Sequence, residues 1–367
     1  MIPPPRTPII QFLLLDNIKN TKIKKENGVF LGKNAYLINL LFTLILIVLI
    51  FYFVDIEGVI KELYKVNLVY IIGAIIAYLT LNILMSIRIQ KLLEAMKQPV
   101  KLIDCVKANF GGMLLSDVTP VRSGYFFTAF SLSSERKIKL DRTMLSIFGP
   151  QIFEFMLKVL CSAVLVFIVI NNLLPNQNQI ITIAFLILLT FGFVFLLALL
   201  FSKKLLKKFE FAKKIPGVKK VYYLMELMQN NSKVILQEWK YVFGVLFGAW
   251  ILKGIEWYLI AKSLNIEINT FNEVLFFLIF HSSITFLHFM PFPTIAGAGA
   301  SEAVSAGILN LLGIPLQVGL AFAIITRGLM IFVDLIGLIA ISRFIKKGNF
   351  FDLINEIDQK EKIAENN

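Results

Sequence analysis

Several charged side chains lie inside long apolar stretches of this sequence, and they are its first candidates for chemistry. A charge surrounded by hydrocarbon is expensive, at roughly 2.5 to 3.5 kcal/mol each even on lenient scales. Such a residue therefore needs a partner or a function. The candidates are Asp117, Arg122, Glu154, Lys158, Lys253, Glu256, Glu302, Arg327 and Asp334.

Two pairs among these residues have helical spacing. Glu154 and Lys158 are four residues apart, and Lys253 and Glu256 are three apart. The members of each pair therefore meet on one face of a helix. Two interpretations stay open, because the pairs either neutralise each other and serve packing alone or take part in function.

Three of the charged residues have no evident partner within their own helical turn. Arg122, Glu302 and Arg327 must find partners elsewhere in the protein, in a bound anion or in water. Asp334 follows Arg327 by two turns on one helix face. We favour a functional role for the three, since an arginine such as Arg122 can hold a phosphate through two parallel hydrogen bonds.

The segment PFPTIAGAGASEAV, residues 291–304, offers a second kind of anion site. Gly297 and Gly299 allow the backbone to turn and to expose its N–H groups, and a helix is predicted from about 299 to 312. The N-terminus of a helix attracts anions, phosphate included. Glu302 falls in the first turn of that helix, where it either caps the helix or contributes to binding.

The elements that position these residues follow from composition. Of 367 residues, 57% are hydrophobic and only 17% are charged, whereas about one quarter is charged in soluble domains. A helix needs about 20 mostly apolar residues to cross a bilayer, and several stretches reach that length. The predicted spans are residues 35–54, 68–87, 144–170, 180–201, 241–262 and 316–341.

The formal net charge of +13 lies mainly between the apolar stretches. This placement favours membrane orientation over nucleic-acid binding as its explanation. Basic segments before residue 35, from Arg88 to Lys107, at 135–142, at 203–220 and after 342 are predicted to be cytoplasmic. The sequence thus predicts a multi-pass protein of the cell membrane with both termini in the cytoplasm and no nucleic-acid partner.

Two further apolar stretches, residues 103–133 and 272–313, are broken by prolines and glycines. The first is flanked by basic segments, so it enters and leaves on the cytoplasmic side, while the second begins and ends outside. Irregular backbone at membrane depth is tolerated where protein or a cavity surrounds it. The predicted fold is an all-α polytopic membrane helix bundle with six full spans plus two re-entrant hairpins, or with eight spans.

The two broken stretches share a spacing that suggests an inverted repeat. Pro120 and Gly124 are four residues apart, as are Pro293 and Gly297. One hairpin facing in and the other out is the layout of inverted-topology repeats in transporters. A chance match between two stretches rich in proline and glycine is the alternative interpretation.

The chain divides into three predicted parts: a cytoplasmic basic segment 1–34, a membrane domain 35–345 and a cytoplasmic tail 346–367. Within the membrane domain, residues 203–240 form a cytoplasmic loop with paired lysines. Such a surface is typical of a segment lying on anionic headgroups or docking a membrane-enzyme partner. An ordinary solvated loop is the alternative.

Metal and cofactor chemistry has little support in the sequence. His281 and His288 are seven residues apart, but zinc takes three or four protein ligands, so packed or solvated histidines are the better interpretation. The sequence contains no Walker A loop and no HExxH or GxSxG motif. We therefore predict no catalytic residues, no metal and no cofactor.

Two motifs resemble those of a known family. A Pro-x-Arg-x-Gly turn is followed later by a Pro- and Gly-rich segment that ends in a glutamate. The matching positions are Pro120, Arg122, Gly124, Pro291, Pro293, Gly297, Gly299, Glu302, Gly313 and Arg327. Over roughly 35–345 the chain resembles the flippase-like family named after the transmembrane region of lysylphosphatidylglycerol synthase. The resemblance implies a membrane module that moves or holds a lipid-linked substrate, without an aminoacyl-transferase domain.

Three functions are compatible with this sequence. The first is a flippase-like transporter of a phospholipid or polyprenyl-linked substrate with an anionic headgroup. The second is an accessory protein that anchors a glycosyltransferase or lipid synthase through the lysine-rich loop, and the third is an intramembrane enzyme with Glu302 or Glu154 as acid/base. Under the first, the substrate-binding residues are Arg122, Gly124, Pro293, Gly297, Gly299, Glu302 and Arg327.

Overall fold

The computed structural model describes residues 54–119, 122–173, 202–211, 232–268, 272–287 and 297–346, with a few single residues between these ranges. This part of the chain is helical throughout its regular structure. The helices are α1 Ile56–Tyr64, α2 Leu68–Ala95, α3 Leu102–Val118, α4 Tyr125–Arg136, α5 Leu140–Leu173, α6 Lys203–Lys208, α7 Lys233–Gln237, α8 Trp239–Ser263, α9 Glu273–Leu287, α10 Ala300–Leu311, α11 Leu316–Asp334 and α12 Leu338–Lys346.

Four apolar segments in the described residues are long enough to cross a membrane. They are Leu68–Ala95, Leu140–Val169, Trp239–Ser263 and Leu316–Phe344, and they confirm the predicted helical membrane bundle. The last segment consists of α11, a 3₁₀ turn at Leu335–Gly337 and α12. The predicted spans 35–54 and 180–201 lie almost wholly outside the described residues.

Helix α2 is longer than the sequence indicated. The span was predicted to end near residue 87, with Arg88 at the start of a cytoplasmic loop, but the helix continues to Ala95. Arg88 is fully buried within it. The predicted span ended too early because the basic residues after 87 were interpreted as a solvent-exposed loop. The opposite face of the same helix exposes Ile72, Ile76 and Ile83, as expected of a surface that meets lipid.

Helices α2 and α8 pack closely over their length and form the most extensive helix–helix contact among the described residues. They run antiparallel, since the Asn67 N–H before α2 donates to the Ser263 carbonyl at the end of α8 over 3.1 Å. Helix α9 packs between α5 and α8. It approaches α8 closely at Gly254, where a Cβ would lie 2.3 Å from the Leu278 side chain.

In the described residues, each broken stretch forms a pair of helices that are shorter than any of the four spanning segments. Helices α3 and α4 have 17 and 12 residues, and α9 and α10 have 15 and 12. In each pair the second helix starts three residues after a residue with positive φ, Arg122 before Tyr125 and Gly297 before Ala300. The two turns differ directly before the second helix, where Gly124 has φ −58° and Gly299 has φ +82°. Pro120, Pro291 and Pro293 lie outside the described residues.

Candidate functional site

A cavity of about 170 Å³ lies inside the bundle, among α2, the α3–α4 hairpin, α5, α8 and α9. Most of its wall is apolar, with polar groups from several helices pointing inward. Asn82 and Asn109 form one polar edge, where the Asn109 amide donates to the Asn82 side-chain oxygen over 3.2 Å. A mostly apolar cavity with a few convergent polar groups is the usual form of a small-molecule site.

Three cationic side chains line this cavity: Arg122, Lys158 and Lys253. The two pairs predicted from helical spacing are present. Lys158 Nζ lies 2.7 Å from Glu154 Oε1, and Lys253 Nζ lies 2.7 Å from Glu256 Oε2. Pairing with an opposite charge lowers the free-energy cost of an ionised group inside a membrane.

Arg122 is bound less tightly than the two lysines. Its Nη2 lies 3.5 Å from Asp117 Oδ1, at the limit for a hydrogen bond, and its Nε has no hydrogen-bond partner among the described residues. The Arg122 side chain is 7% exposed. Arg122 therefore brings to the cavity wall a buried guanidinium with unused donor capacity, which is the chemistry that binds a phosphate.

The turn that carries Arg122 is held in an unusual backbone conformation. Arg122 has φ +52°, a left-handed conformation that L-residues seldom adopt and that is frequent at functional sites. The Ser116 hydroxyl donates to the Arg122 carbonyl over 3.3 Å, and the Gly124 N–H donates to Thr119 Oγ1 over 3.2 Å. Gly124 thus belongs to the support of the arginine, with its backbone pressed against α3.

A second group of buried polar side chains adjoins the cavity at Tyr78. The Tyr78 hydroxyl donates to Asp334 Oδ2 over 2.8 Å, and Lys253 Nζ lies 4.2 Å from the centre of the Tyr78 ring, within the range of a cation–π contact. Asp334 is fully buried and contacts Tyr78 instead of Arg327. Sequence spacing could not show this, because the contact joins residues 256 positions apart.

Arg88 is a functional candidate that the sequence did not reveal. It is 1% exposed, and its Nε and Nη1 have no hydrogen-bond partner in the described part of the chain. Glu154, Tyr125 and Tyr241 lie within electrostatic range of its guanidinium. Two of these, Glu154 and Tyr125, also line the cavity, so Arg88 adds positive potential behind that wall.

We expect replacement of Arg88 by methionine to raise the free energy of unfolding by about 1 kcal/mol, because it removes a buried charge with unmet donors. Arg142→Met is the matched control. The Arg142 Nη1 donates to the Met96 carbonyl over 2.7 Å, so its loss should lower stability by about 1 kcal/mol. Unfolding of both purified variants in detergent tests the pair, and equal losses of stability would contradict our interpretation of Arg88.

The remaining predicted binding residues form a separate cluster at the start of α10. Gly297 and Gly299 have φ of +72° and +82°, as expected for a glycine turn. The Glu302 carboxylate accepts from the Gly299 N–H over 2.7 Å and from the Ser301 hydroxyl over 3.1 Å. Arg327 forms an ion pair with Glu302 and donates to Ser301 Oγ over 3.0 Å.

This arrangement places the protein's own carboxylate at the helix N-terminus. Glu302, Ser301 and Arg327 border a smaller cavity of about 20 Å³, and Met330 lines both this cavity and the larger one. Arg122 and the Glu302–Arg327 pair therefore occupy neighbouring cavities rather than one shared site. Pro293 is outside the described residues.

The histidine near the cavity is fully engaged with its surroundings. His281 Nδ1 lies 3.1 Å from the Phe277 carbonyl, and Nε2 lies 3.2 Å from the Ser282 hydroxyl. Its ring also packs against Trp257. Within the described residues no group of three or more His, Cys, Asp and Glu side chains is arranged to hold a metal ion. His288 lies outside them.

Comparison with known proteins identifies the family of this membrane domain. Residues 36–337 match the family model described as the lysylphosphatidylglycerol synthase TM region. The chain belongs to this family. A search of curated proteins and a search of solved structures each returned no match.

Family membership confirms the resemblance drawn from the two motifs, and it makes the chain an integral membrane protein related to lipid metabolism. The matched region includes every helix from α1 to α11. The cavity, Arg122 and the Glu302–Arg327 pair therefore all belong to the lysylphosphatidylglycerol synthase TM region.

The lysine-rich helix α6 lies apart from this site. Lys203, Lys204, Lys207 and Lys208 are exposed, while Leu206 is buried against the bundle. The other lysine pairs, at 213/214 and 219/220, lie outside the described residues.

Proposed function

We propose that this chain is a flippase-like transporter that binds the anionic headgroup of a phospholipid or lipid-linked substrate in the large cavity. The observation that carries the proposal is Arg122, a buried guanidinium on the cavity wall with a long ion pair and a free Nε. Lys158 and Lys253 line the same cavity. Together they supply a positive surface inside a mostly apolar wall, which suits a phosphate joined to hydrocarbon.

The wall of the cavity also supports a lipid ligand. Phe243 and Phe247 on α8 line the cavity, yet they are 39% and 56% exposed at the outer surface of the bundle. One side of the cavity is therefore closed by residues that face lipid. A headgroup beside Arg122 could leave its hydrocarbon chains in the bilayer by passing between these rings.

In this proposal, the residues around the smaller cavity support the larger cavity, which binds the headgroup. The glycine turn at Gly297 and Gly299 and the Glu302–Arg327 pair fix the start of α10 beside Met330, which lines both cavities. We infer that movement of this cluster opens the outer side of the binding cavity. With both termini in the cytoplasm, α6 would rest its lysines on anionic headgroups.

Arg122→Gln tests the proposal directly. We expect phosphatidylglycerol binding and translocation in proteoliposomes to fall about 10- to 100-fold, because hydrogen bonds to charged groups contribute about 1.5 to 3 kcal/mol. Arg122→Lys, which keeps the charge but loses the planar fork, should show a smaller loss. A dithionite assay with acyl-labelled phosphatidylglycerol measures translocation.

Arg136→Gln is the matched control. Arg136 pairs with Asp104 and is 46% exposed in its side chain, away from the cavity. The Arg136→Gln substitution should leave phosphatidylglycerol binding and translocation unchanged. Transport at the normal rate by a folded Arg122→Gln variant would overturn the proposed function.

A further inference from the structure

The short helix α1 exposes a row of large apolar side chains. Ile56, Ile60 and Tyr64 are four residues apart, and all three are exposed, Tyr64 by 87%. Residues at this spacing lie above one another on a helix, so they form one continuous surface, which we call the α1 apolar face. Single exposed apolar residues are common in water, whereas a contiguous apolar surface marks a place of interaction.

A row of charged residues borders the α1 apolar face. Glu57, Lys61 and Lys65 each follow a residue of that face by one position, and we call them the α1 charged row. Lys61 Nζ lies 2.8 Å from Glu57 Oε1, and Lys65 Nζ lies 2.6 Å from Glu62 Oε1. These two ion pairs have no net charge, so the row requires water but no anionic partner.

The remaining side of α1 packs against the bundle. Val59 is buried and Leu63 packs against the core. Helix α1 contacts α11, and a Cβ at Gly58 would lie 3.2 Å from the Gln317 side chain. This packing fixes the rotation of α1 about its axis, so the apolar face points away from the protein.

Helix α1 lies at the end of the bundle where two spanning segments begin. It ends at Tyr64, and only three residues separate it from Leu68, the first residue of α2. Its neighbour Gln317 is the second residue of α11, and Asn67 ties the turn after α1 to the end of α8. The ends of spanning helices lie at the level of the headgroups, where tyrosine is enriched. Contacts with three spans therefore place α1 at that level.

The exposed apolar surface continues from α1 onto α2. Leu68, Val69 and Ile72 are all exposed, and they begin the surface of α2 that meets lipid. The α1 apolar face ends at Tyr64, directly before this surface. Lipid that surrounds the start of α2 therefore also reaches α1, which makes lipid the occupant that the neighbouring surface favours.

We propose that α1 is an interfacial helix that binds the lipid of one leaflet. The α1 apolar face lies about 5 to 10 Å into the boundary between headgroups and acyl chains, and the α1 charged row stays in water. Because the ion pairs of the row cancel, burial of apolar surface provides the binding, and anionic lipid is not required. With the orientation predicted from the basic segments, this leaflet is the external one. The inference does not depend on the proposed transport function.

Spin labels test this placement in the full chain in liposomes. Each residue of the α1 apolar face and of the α1 charged row is replaced by cysteine in turn. Cys105 and Cys161 are buried, so the label should react with the introduced cysteine, and the parent chain gives the background. Collision with oxygen, which concentrates in hydrocarbon, should exceed collision with the water-soluble complex Ni-EDDA on the apolar face, and the order should reverse on the charged row. Ile76→Cys on the lipid-facing side of α2 and Lys139→Cys before α5 are the hydrocarbon and water controls.

Each outcome decides for or against the interfacial helix. The same alternation in liposomes of phosphatidylcholine alone and of phosphatidylcholine mixed with phosphatidylglycerol is the expected result. Preference for Ni-EDDA at all six positions would place α1 in water and overturn the inference. Low collision rates with both reagents on the apolar face would show that protein, such as a second copy of the chain, covers it. Alternation that requires phosphatidylglycerol would show that charge and not apolar burial provides the binding, which also overturns the inference.

Discussion

Replacing Gly124 by alanine should destabilise the protein by about 3 kcal/mol or more and abolish anion binding. A Cβ at this position would lie 2.1 Å from the Ser116 backbone nitrogen and 2.4 Å from the Gly112 carbonyl oxygen. Both contacts are with the backbone of α3, which cannot rotate out of the way as a side chain can. Overpacking in a filled interior typically costs about 1 to 3 kcal/mol, and rigid neighbours place the cost at the upper end.

The loss should come from crowding and not from backbone strain. Gly124 has φ −58° and ψ −21°, a conformation that alanine adopts readily. To relieve the clash, α4 must move away from α3, and the turn with Arg122 moves with it. Unfolding measured by denaturant titration in detergent, together with phosphatidylglycerol binding, reports both consequences.

Gly307→Ala provides the matched control for this substitution. Gly307 lies inside α10, and a Cβ there meets no atom within 4 Å. Alanine is favoured over glycine inside a helix by about 0.5 to 1 kcal/mol, so this variant should be as stable as the parent or slightly more stable. Equal stability of Gly124→Ala and Gly307→Ala would show that α3 and α4 do not pack as described.

Replacing Glu302 by glutamine should lower the free energy of unfolding by about 3 kcal/mol. The carboxylate holds the Arg327 guanidinium and caps α10 through the Gly299 N–H. Glutamine keeps an oxygen for the cap but removes the negative charge. Removing one partner of a buried ion pair strongly destabilises a protein because the other charge is left uncompensated.

An exposed ion pair of the same kind serves as the control. Glu57 and Lys61 lie 2.8 Å apart on α1, with side chains 79% and 66% exposed, and Glu57→Gln should cost less than about 0.5 kcal/mol. The double variant Glu302→Gln with Arg327→Met should recover part of the stability lost in the single one. If Glu302→Gln costs no more than Glu57→Gln, the pair does not hold the start of α10.

These two predictions differ in what they report about function. The Gly124 turn carries Arg122 at the wall of the large cavity, so damage there should remove binding. The Glu302 cluster borders the smaller cavity, so a variant that is weakened but folded should still bind the anion, with slower translocation if the cluster gates the outer side. Measuring binding and transport separately on the same preparations distinguishes the two contributions.

Part of this protein is dictated by local sequence. The spans at α2, α5, α8 and α11 follow from runs of apolar residues long enough for a bilayer. Glu154–Lys158 and Lys253–Glu256 follow from helical spacing, which fixes the neighbours of a side chain within a turn. The glycine turn before α10 follows from residue type, because positive φ favours glycine. Information of this kind is local, so a single sequence contains it.

Tertiary structure decided which charges meet across the bundle. Asp334 shares a helix face with Arg327 in the sequence pattern, yet it accepts a hydrogen bond from Tyr78, while Arg327 forms an ion pair with Glu302. Arg88 appeared to belong to a loop and is buried. Such partners lie far apart along the chain and are set by how helices rotate and cross, which depends on packing at places such as Gly124 and Gly254. The composition of the spans limits how many charges can be buried, but only the packed bundle determines their partners.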